Sequence, residues 1–378
     1  MIKILHITGD DKFFDGPFSK FEMDSSLKNK AYLASFGNEK LKYIKSKDKV
    51  SILRHKSNLK VILENGDYDV VFFYSLPFER WWMIECIPVG KIVIWWEWGY
   101  DLYSSREGLT PLVNVPLYKP LTEKYVRNRL RTLLINIRTY LLYKRKKEKL
   151  LEQRKRVLSR IDYLMPVLPI DYELLKKHSE FKAKIFYHNT INYYKLNTHV
   201  RSKDGGILLG NSSLVSNNHL DIWDALKRTG ISNRRIIVPL NYGELDTALY
   251  MSRKIISHTN DVVVLRKFLS YKDYFNLVES CSYAVFGVMR QQAVGNIKKC
   301  FRVGIKVFLY KDSVCYKSLT ASGYKVFAIE DMDLTSLTTP MTLEDNIHNV
   351  KVFENEINEK NEIYNEVMKE IQYKLNRH

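Results

Sequence analysis

Apolar residues along the chain follow two alternating periods. Short runs rich in β-branched and aromatic residues predict strands, and the longer runs between them have the three-to-four-residue spacing of helices. This alternation continues from one end of the chain to the other, so it predicts an α/β protein with parallel sheets and crossover helices. The predicted strands cover 2–8, 70–75, 91–98, 162–167, 184–188, 206–210, 235–240, 261–265, 283–288, 306–310 and 324–329.

The apolar pattern is interrupted once, in the polar and glycine-containing stretch THVRSKDGG at 198–206. A new strand-to-helix unit begins after it, so we predict an N-terminal domain over 1–198 and a C-terminal domain over 199–350. Segments 218–229, 244–258 and 270–281 read as helices, and Ser270 with Asp273 resembles a capping pair. A charged helix is predicted over 351–378.

Composition places the protein among ordinary globular chains, since 45% hydrophobic residues allow a core in each half. Cys86, Cys281, Cys300 and Cys315 have no metal-ligand spacing and suit a reducing compartment. The apolar start MIKILHIT is too short for a signal peptide, and no run reaches the roughly 18 apolar residues that span a bilayer. We therefore expect a cytoplasmic protein that is neither secreted nor transmembrane.

The formal charge of +18 is concentrated in one segment, because Lys124 to Arg160 holds fourteen Lys or Arg against Glu148 and Glu152. Apolar residues recur there at helical spacing from Val126 to Leu141, so a basic amphipathic helix is predicted over about 121–160. Such a helix can lie on an anionic membrane, with Lys144, Arg145, Lys146 and Lys147 facing the headgroups. It can equally be a core helix with a solvated basic end, and nucleic-acid binding ranks third because no recognised module is present.

Two strand-to-helix junctions in the second half have the composition of phosphate sites. In the first, GILLGNSSLVSNNHL at 206–220, a glycine allows close backbone approach, hydroxyls can bind an anion, and an asparagine can cap the following helix. A plain turn with an asparagine cap explains the same residues. The donor-site candidates are Gly210, Asn211, Ser212, Asn217, Asn218 and His219.

The second junction, VFGVMRQQAVGNI at 285–297, predicts a helix with Arg290, Gln291 and Gln292 in its first turn. Arginine opposes the helix dipole there, and a bound anion would remove the conflict, although a solvated arginine is the simpler reading. Gly295 would allow close helix packing. A third polar loop after strand 235–240 adds Asn241, Tyr242 and Gly243, and all three loops follow the carboxyl ends of parallel strands, where such folds bind ligands.

Four segments resemble one known family, the TDP-N-acetylfucosamine:lipid II N-acetylfucosaminyltransferases of enterobacterial common antigen synthesis, glycosyltransferase family 56. They are WEWGYDLY at 96–103, the GNSxxxSNNH loop at 210–219, VPLNYG at 238–243, and RQQAVGN at 290–296 followed by GIKVFLY at 304–310. Tyr100 and Asn296 depart from the family pattern, which bears on the identity of the sugar and the acceptor.

The resemblance implies a GT-B arrangement, in which two Rossmann-like domains face a cleft, the C-terminal one binds the nucleotide-sugar and the N-terminal one binds the acceptor. It also implies a peripheral membrane enzyme of surface-polysaccharide synthesis. The expected reaction moves a deoxyamino sugar from a TDP-linked or similar donor to a polyprenyl-diphosphate-linked saccharide. Asn296 joins the donor-binding candidates through the RQQxxG motif. No nucleic-acid partner is implied.

Catalysis of this reaction requires stabilisation of the diphosphate and, for inversion, a general base. No Asp-x-Asp motif is present and no metal or other cofactor is clearly implied, so Arg290 and helix N-termini are the expected diphosphate ligands. Glu97 is the first candidate base, because flanking tryptophans would raise its pKa, and Asp101 is the second. Each can instead be a loop or capping carboxylate.

Further acceptor-side candidates follow the first and fifth predicted strands. They are Asp10, Asp11, His188 and Asn189, and a structural histidine is the commoner case for His188. The alternative function is a non-catalytic basic α/β protein that binds an anionic membrane or nucleic acid. Nucleotide-sugar binding discriminates between the two.

Overall fold

The computed structural model describes residues 1–9, 14–36, 44–103, 112–128, 141, 147–188, 199–256 and 261–377. The chain forms two compact units. Unit 1 comprises the described residues of Met1–Val113, Thr139–Tyr193 and Glu356–His378, and unit 2 those of Asn114–Arg138 and Tyr194–Asn355. The start of the basic segment belongs to unit 2 rather than to the predicted N-terminal domain, and the chain from Glu356 onward belongs to unit 1 rather than to a separate C-terminal segment.

Unit 1 is built on a seven-stranded parallel sheet with the strand order β3-β2-β1-β4-β5-β6-β7. Its strands are β1 Ile2–Thr8, β2 Leu27–Ala34, β3 Val50–Leu53, β4 Val70–Tyr74, β5 Ile92–Trp96, β6 Tyr163–Met165 and β7 Lys184–Ile185. Its helices are α1 Asp15–Met23, α2 Lys56–Asn65, α3 Trp81–Glu85, α4 Tyr100–Tyr103, α6 over 147–160 and α7 Pro169–Leu175.

Strands β2 and β3 are absent from the sequence prediction. The sequence of β2, LKNKAYLA, has lysines at alternate positions, and its first half is accordingly only partly buried. Strand β3 has four residues and lies at the sheet edge, where two of its side chains are exposed. Neither strand has the continuous apolar run by which the central strands are recognised.

Unit 2 contains a six-stranded parallel sheet with the strand order β10-β9-β8-β11-β12-β13. Its strands are β8 Gly206–Leu209, β9 Ile236–Pro239, β10 Val262–Leu265, β11 Cys281–Phe286, β12 Lys306–Leu309 and β13 Phe327–Ala328. Its helices are α5 Pro120–Arg127, α8 His219–Arg228, α9 Leu245–Ile256, α10 Tyr271–Glu279, α11 Val294–Arg302 and α12 Val314–Ala321.

The long helix α13, Leu343–Leu375, begins in unit 2, and its residues from Glu356 onward belong to unit 1. In unit 1 its Val367 and Ile371 are buried in the core beside β1 and β4. The predicted capping pair of α10 is confirmed, because the backbone N–H of Asp273 donates to the Ser270 hydroxyl at 3.1 Å. The α/β fold class with two parallel sheets is likewise confirmed.

The start of helix α5 is held on unit 2 by a carboxylate of α8. Asp221 of α8 accepts the backbone N–H groups of Leu121 and Thr122, both at 2.9 Å, which are first-turn donors with no partner inside their own helix. Pro120 opens the helix at a position where its missing N–H costs nothing. Tyr125 stacks on Tyr250 of α9 with ring centroids 4.7 Å apart. These contacts anchor the segment next to the loop after β8.

We expect Asp221→Ala to lower the free energy of unfolding by about 0.5–2 kcal/mol, the usual cost of losing a helix cap. Amide hydrogen exchange at Leu121 and Thr122 should accelerate as well. The matched control is Asp224→Ala on the same helix, whose carboxylate lies near Lys227 and Arg228 and caps no backbone. Equal exchange rates at α5 in the two variants would contradict the capping role.

Candidate active site

Unit 2 has one point at which the strand order reverses. From β8 the chain continues to β9 and β10 on one side, and it then returns to place β11, β12 and β13 on the other. Parallel sheets of this kind bind ligands beyond the carboxyl ends of the two strands that flank the reversal. Here those ends carry the loops 210–219 and 287–293, and Gly210 N–H donates to Val285 O at 2.8 Å.

The loop after β8 is shaped by buried hydrogen bonds rather than by free hydroxyls. Gly210 has a φ of +74°, and a Cβ on it would lie 2.3 Å from His219 Nε2, so only glycine fits. The fully buried Asn217 accepts the N–H of Asn211 at 3.1 Å and donates to the Ser212 hydroxyl at 3.0 Å. Asn217 and Ser212 are therefore scaffold residues of the loop.

Asn218 joins the two loops at the strand reversal. It adopts a left-handed backbone (φ +50°), and its side-chain amide donates to Gly287 O at 2.6 Å and to Leu117 O at 3.1 Å. Asn218 occupies the N-cap position of α8, but its side chain makes no capping hydrogen bond. The prediction that an asparagine side chain caps this helix is therefore wrong, because the amide is used to hold the neighbouring loop.

The third predicted loop lies against the first. The N–H of Ser213 donates to Tyr242 O at 2.7 Å, and the Ser213 hydroxyl donates to the same oxygen at 2.9 Å. Gly243 has a φ of +119°, and a Cβ there would lie 2.7 Å from Leu214 N. The structure thus brings all three sequence-predicted loops together, with Asn241 and Tyr242 half-buried beside them.

The RQQ segment lies in the loop and not in a helix. Helix α11 begins at Val294 after Ala293, which has a left-handed backbone at φ +62°, so Arg290, Gln291 and Gln292 all precede it. The predicted conflict of Arg290 with the helix dipole is therefore wrong. The predicted packing role of Gly295 is also wrong, since this glycine is exposed and a Cβ on it would contact nothing within 4 Å.

Three buried side chains at the strand reversal have polar atoms without a partner among the described residues. They are Gln291 (Oε1), Gln292 (Nε2) and His219 (both ring nitrogens). Gln292 uses its other amide atom to accept the Ser216 hydroxyl at 2.8 Å. Buried polar atoms are nearly always paired, so the unpaired amide atoms of the adjacent Gln291 and Gln292 indicate a site completed by a ligand or water, as do the unpaired ring nitrogens of His219 at the end of the first loop.

The His219 imidazole is poorly suited to accept a proton. Burial lowers its pKa to about 4, so the ring is neutral at pH 7 and a weak base. It lines a small cavity with Thr122 and Thr247, and the Thr122 hydroxyl also has no partner in the described structure. His219 therefore supplies hydrogen-bonding capacity rather than charge at this position.

The remaining donor-site candidates connect α11 to the loop after β8. The Asn296 amide donates to the Asn211 side-chain oxygen and, at 3.2 Å, to the Tyr274 hydroxyl of α10. Arg290 is half-buried, and its Nη1 donates to Gln291 O at 2.8 Å. Asn211 thus contacts the first turn of α11, and Gly295 leaves open space there.

The candidate base Glu97 lies in unit 1 directly after β5 and is completely buried. Its carboxyl oxygens accept the N–H of Gly99 and the N–H of Val167, both at 2.7 Å. Burial and the nearby Asp171 carboxylate, with which Glu97 also hydrogen-bonds, raise its pKa well above the usual range. A group with no accessible surface does not reach a substrate in this structure, so its burial argues against direct proton abstraction.

The Asp101 carboxylate likewise accepts hydrogen bonds from within the protein. Its carboxylate accepts the N–H of Leu76 at 2.7 Å, the indole N–H of Trp95 at 2.8 Å and the N–H of Trp98 at 2.9 Å. These bonds fix the loop after β4 to the loop after β5. The segment WEWGYDLY ends in the motif WGxDLY at 98–103. Asp101 of this motif and the preceding Glu97 thus organise these loops, and a catalytic role for either remains a prediction.

Sequence reasoning missed Asp171 and Tyr103, which complete this buried cluster. Asp171 Oδ1 accepts the Tyr103 hydroxyl at 2.5 Å, and Oδ2 accepts the N–H of Leu168 at 3.0 Å. Burial raises the pKa of Asp171 to about 6. The available signal was an acid six residues after the end of β6 and two residues after Pro169, but nothing in the sequence indicates that it lies beside Glu97.

The structure gives little support for an acceptor-binding role of the other acceptor-side candidates. Asp10, Asp11 and Asn189 lie outside the described residues. His188 follows β7, stacks on Phe21 with ring centroids 3.8 Å apart, and has a pKa lowered to about 4 by burial. These contacts are those of a core histidine.

Of the four predicted membrane residues, Lys144, Arg145 and Lys146 lie outside the described part of the chain. Lys147 is exposed at the start of the described part of α6. That helix buries Leu150, Val157 and Leu158, so from residue 147 onward it is a core helix with a basic outer side. No described helix is long and apolar enough to cross a membrane.

Metal binding has no support among the residues with described positions, since no three His, Cys, Asp or Glu side chains there form a metal-binding group. The predicted independence from metal remains a prediction.

Solved structures with similar folds include two glycosyltransferases and a trehalose-phosphate synthase. A glycosyltransferase from Rickettsia africae ESF-5 has a TM-score of 0.56 at 10% identity, covering 99% of this chain and 98% of its own. The lipopolysaccharide outer core galactosyltransferase WaaB has a TM-score of 0.53 at 11% identity, covering 94% and 91%. An α,α-trehalose-phosphate synthase from Burkholderia xenovorans has a TM-score of 0.56 at 8% identity, covering 98% and 100%.

Two Rossmann-like units of this topology define the GT-B fold of glycosyltransferases. Residues 167–345 match the family model described as 4-alpha-L-fucosyltransferase glycosyl transferase group 56. The match confirms, over this part of the chain, the resemblance to glycosyltransferase family 56 that was noted from the motifs. The protein is a glycosyltransferase.

The Glu97–Asp171 pair predicts a pH-dependent stability. Both pKa values are raised in the folded state, so their contribution to stability is complete below the unfolded values of 4.5 and 3.8 and is lost as pH rises through the folded values, about 6 for Asp171. Glu97→Gln needs no proton to stay neutral. Its free energy of unfolding relative to wild type should therefore increase between pH 4.5 and 7, by at most about 1.4 kcal/mol per pH unit.

Urea unfolding at several pH values measures this difference. The control is Glu152→Gln, an exposed residue of α6, which should leave the pH dependence of wild type unchanged. A Glu97→Gln variant that parallels wild type across the range would show that Glu97 is ionised in the folded protein.

Proposed function

We propose that the protein transfers a deoxyamino sugar resembling N-acetylfucosamine from a TDP-linked donor to a polyprenyl-diphosphate-linked saccharide on the inner face of the cell membrane. The observation that carries the donor half is the set of buried, unpaired polar atoms on Gln291, Gln292 and His219 at the strand reversal of unit 2. The family description supports a fucose-like sugar. The polyprenyl acceptor and the surface-polysaccharide context rest on the resemblance of the four motifs.

The donor diphosphate is assigned to the first turn of α11. Helix N-termini bind phosphate through free backbone N–H groups, and the exposed Gly295 leaves that turn open to a ligand. Arg290 stands four residues before the helix and supplies positive charge for the leaving diphosphate. Gln291 and Gln292 then hydrogen-bond to the phosphate or the sugar. This arrangement requires no metal ion.

The buried acids of unit 1 are assigned a positioning role. Glu97 and Asp101 hold the loops after β4, β5 and β6 through backbone N–H donors. Their substitution should therefore affect acceptor use and stability together. The general base that activates the acceptor hydroxyl is expected elsewhere in unit 1, where Asp10 and Asp11 remain candidates.

We expect Arg290→Ala to lower kcat about 100-fold or more, since removing one preorganised stabiliser of developing charge usually costs that much. TDP should raise the melting temperature of wild type and raise that of the variant much less. The control is Arg253→Ala, an exposed arginine on α9. The donor assignment fails if no TDP- or UDP-sugar stabilises the wild-type protein and Arg290→Ala transfers sugar normally.

Membrane association is proposed to depend on the basic stretch 144–149, with each basic group near an anionic surface contributing about 1 kcal/mol. Replacing its lysines and arginine by glutamine should reduce co-sedimentation with vesicles containing phosphatidylglycerol, and added salt should do the same to wild type. The matched control replaces exposed lysines of α13, such as Lys351 and Lys369. Retention of the 144–149 variant on the vesicles would contradict the proposal.

A further inference from the structure

The sheet of unit 1 has its own strand reversal, between β1 and β4. The carboxyl end of β4 therefore occupies in unit 1 the position that the donor loops occupy in unit 2. Three polar side chains converge there, namely Ser75, Arg80 and Tyr100, and none of them is needed for the donor site. We call these three residues the β4 cluster.

Ser75 is held in an unfavourable backbone conformation. Its φ is +67°, which is uncommon outside glycine, and the residue is completely buried. The N–H of the next residue, Leu76, donates to Asp101 at 2.7 Å, and the N–H of Ser75 donates to Trp96 O at 2.9 Å. The buried carboxylate of the WGxDLY motif thus fixes the turn that directs the Ser75 hydroxyl.

The Ser75 hydroxyl links the other two members of the cluster. It lies 2.6 Å from the Tyr100 hydroxyl and accepts from Arg80 Nη1 at 3.2 Å. Arg80 Nη1 also donates to Tyr74 O at 3.3 Å. Because Ser75 has no accessible surface, its hydroxyl positions the Arg80 guanidinium and the Tyr100 hydroxyl, and these two partly exposed groups can donate to an anion with several oxygens.

Arg80 is half-buried and makes no ion pair with any carboxylate of the described residues. All its hydrogen bonds within the described structure are through Nη1, so Nε and Nη2 are available to an additional acceptor. A guanidinium presents a planar set of donors that matches phosphate oxygens in pairs. The described contacts of Arg80 with the turn use only Nη1, so Nε and Nη2 are not required for stabilising the turn.

We propose that the β4 cluster binds the diphosphate of the polyprenyl-linked acceptor, with Arg80 as its principal ligand. This inference rests on the proposed function, which supplies an acceptor with a diphosphate. The donor diphosphate has a separate site at α11 in unit 2, so the cluster explains how unit 1 distinguishes the lipid-linked substrate. Tyr100, at the variable position of the WGxDLY motif, then contributes directly to acceptor binding.

The test measures binding by calorimetry, with farnesyl diphosphate as the acceptor probe and TDP as the donor probe. Arg80→Ala should weaken farnesyl diphosphate binding by roughly tenfold to a hundredfold, and Tyr100→Phe by about threefold. Arg80→Lys keeps the charge but loses the paired geometry, so its loss should be intermediate. TDP affinity should stay within twofold of wild type in all three variants.

Two further variants keep the test decisive. Ser75→Gly accepts the positive φ and removes the hydroxymethyl group that positions Arg80 and Tyr100, so it should fold and still bind farnesyl diphosphate more weakly. Lys182→Ala removes an exposed positive charge of unit 1 elsewhere and should bind like wild type. Unchanged far-ultraviolet circular dichroism verifies that each variant is folded.

The inference is overturned if wild type does not bind farnesyl diphosphate, if Arg80→Ala binds it normally, or if TDP displaces it competitively. A failure of the donor assignment looks different, because wild type would then not bind TDP whatever residue occupies position 80. Sugar transfer by Arg80→Ala should show a raised KM for the acceptor and an unchanged KM for the donor.

Discussion

The loops at the two strand reversals depend on one kind of interaction, the hydrogen bond from a buried side chain to backbone. Loops that leave a parallel sheet carry N–H and C=O groups that must be paired once water is excluded. In unit 2, Asn217 and Asn218 pair these groups, and in unit 1 Glu97 and Asp101 do so. These polar side chains of the motif segments therefore hydrogen-bond to backbone and stabilise the loops.

Because these motif residues bond to backbone, other side chains must supply the polar groups that bind a ligand. Buried polar atoms without a partner among the described residues of unit 2 include those of Gln291, Gln292 and His219, and Arg290 directly precedes Gln291. In unit 1 the open polar side is that of Arg80. In both units, buried amides or carboxylates first fix the backbone, and polar groups beside the fixed turns then have a defined place at which to meet a ligand.

Much of the fold was predictable from the sequence, because central parallel strands are continuous apolar runs. β1 was predicted over its full observed length, and β8 and β12 to within one residue. The edge strand β3 and the lysine-rich β2 were missed, since their apolar signal is weak. The assignment of α5 to unit 2 was also unpredictable, because it depends on Asp221 about a hundred residues away.

The sequence allowed the loops of the candidate site to be located, but it did not allow the role of each residue in them to be predicted. Motif spacing located the loops after β8, β9 and β11, and the structure brings them together. Spacing did not show that Glu97 would be buried against Asp171, or that Arg290 would precede its helix by four residues. Those properties arise from tertiary contacts between distant residues.

The central claim is that a nucleotide diphosphate binds at the strand reversal of unit 2. Amide hydrogen exchange with and without TDP tests it most directly, since bound phosphate protects the N–H groups that it contacts. We expect slower exchange at 287–297, which contains the first turn of α11, and at 210–219, with little change in the first-turn amides of α10. Protection confined to other segments, or none at saturating TDP, would contradict it.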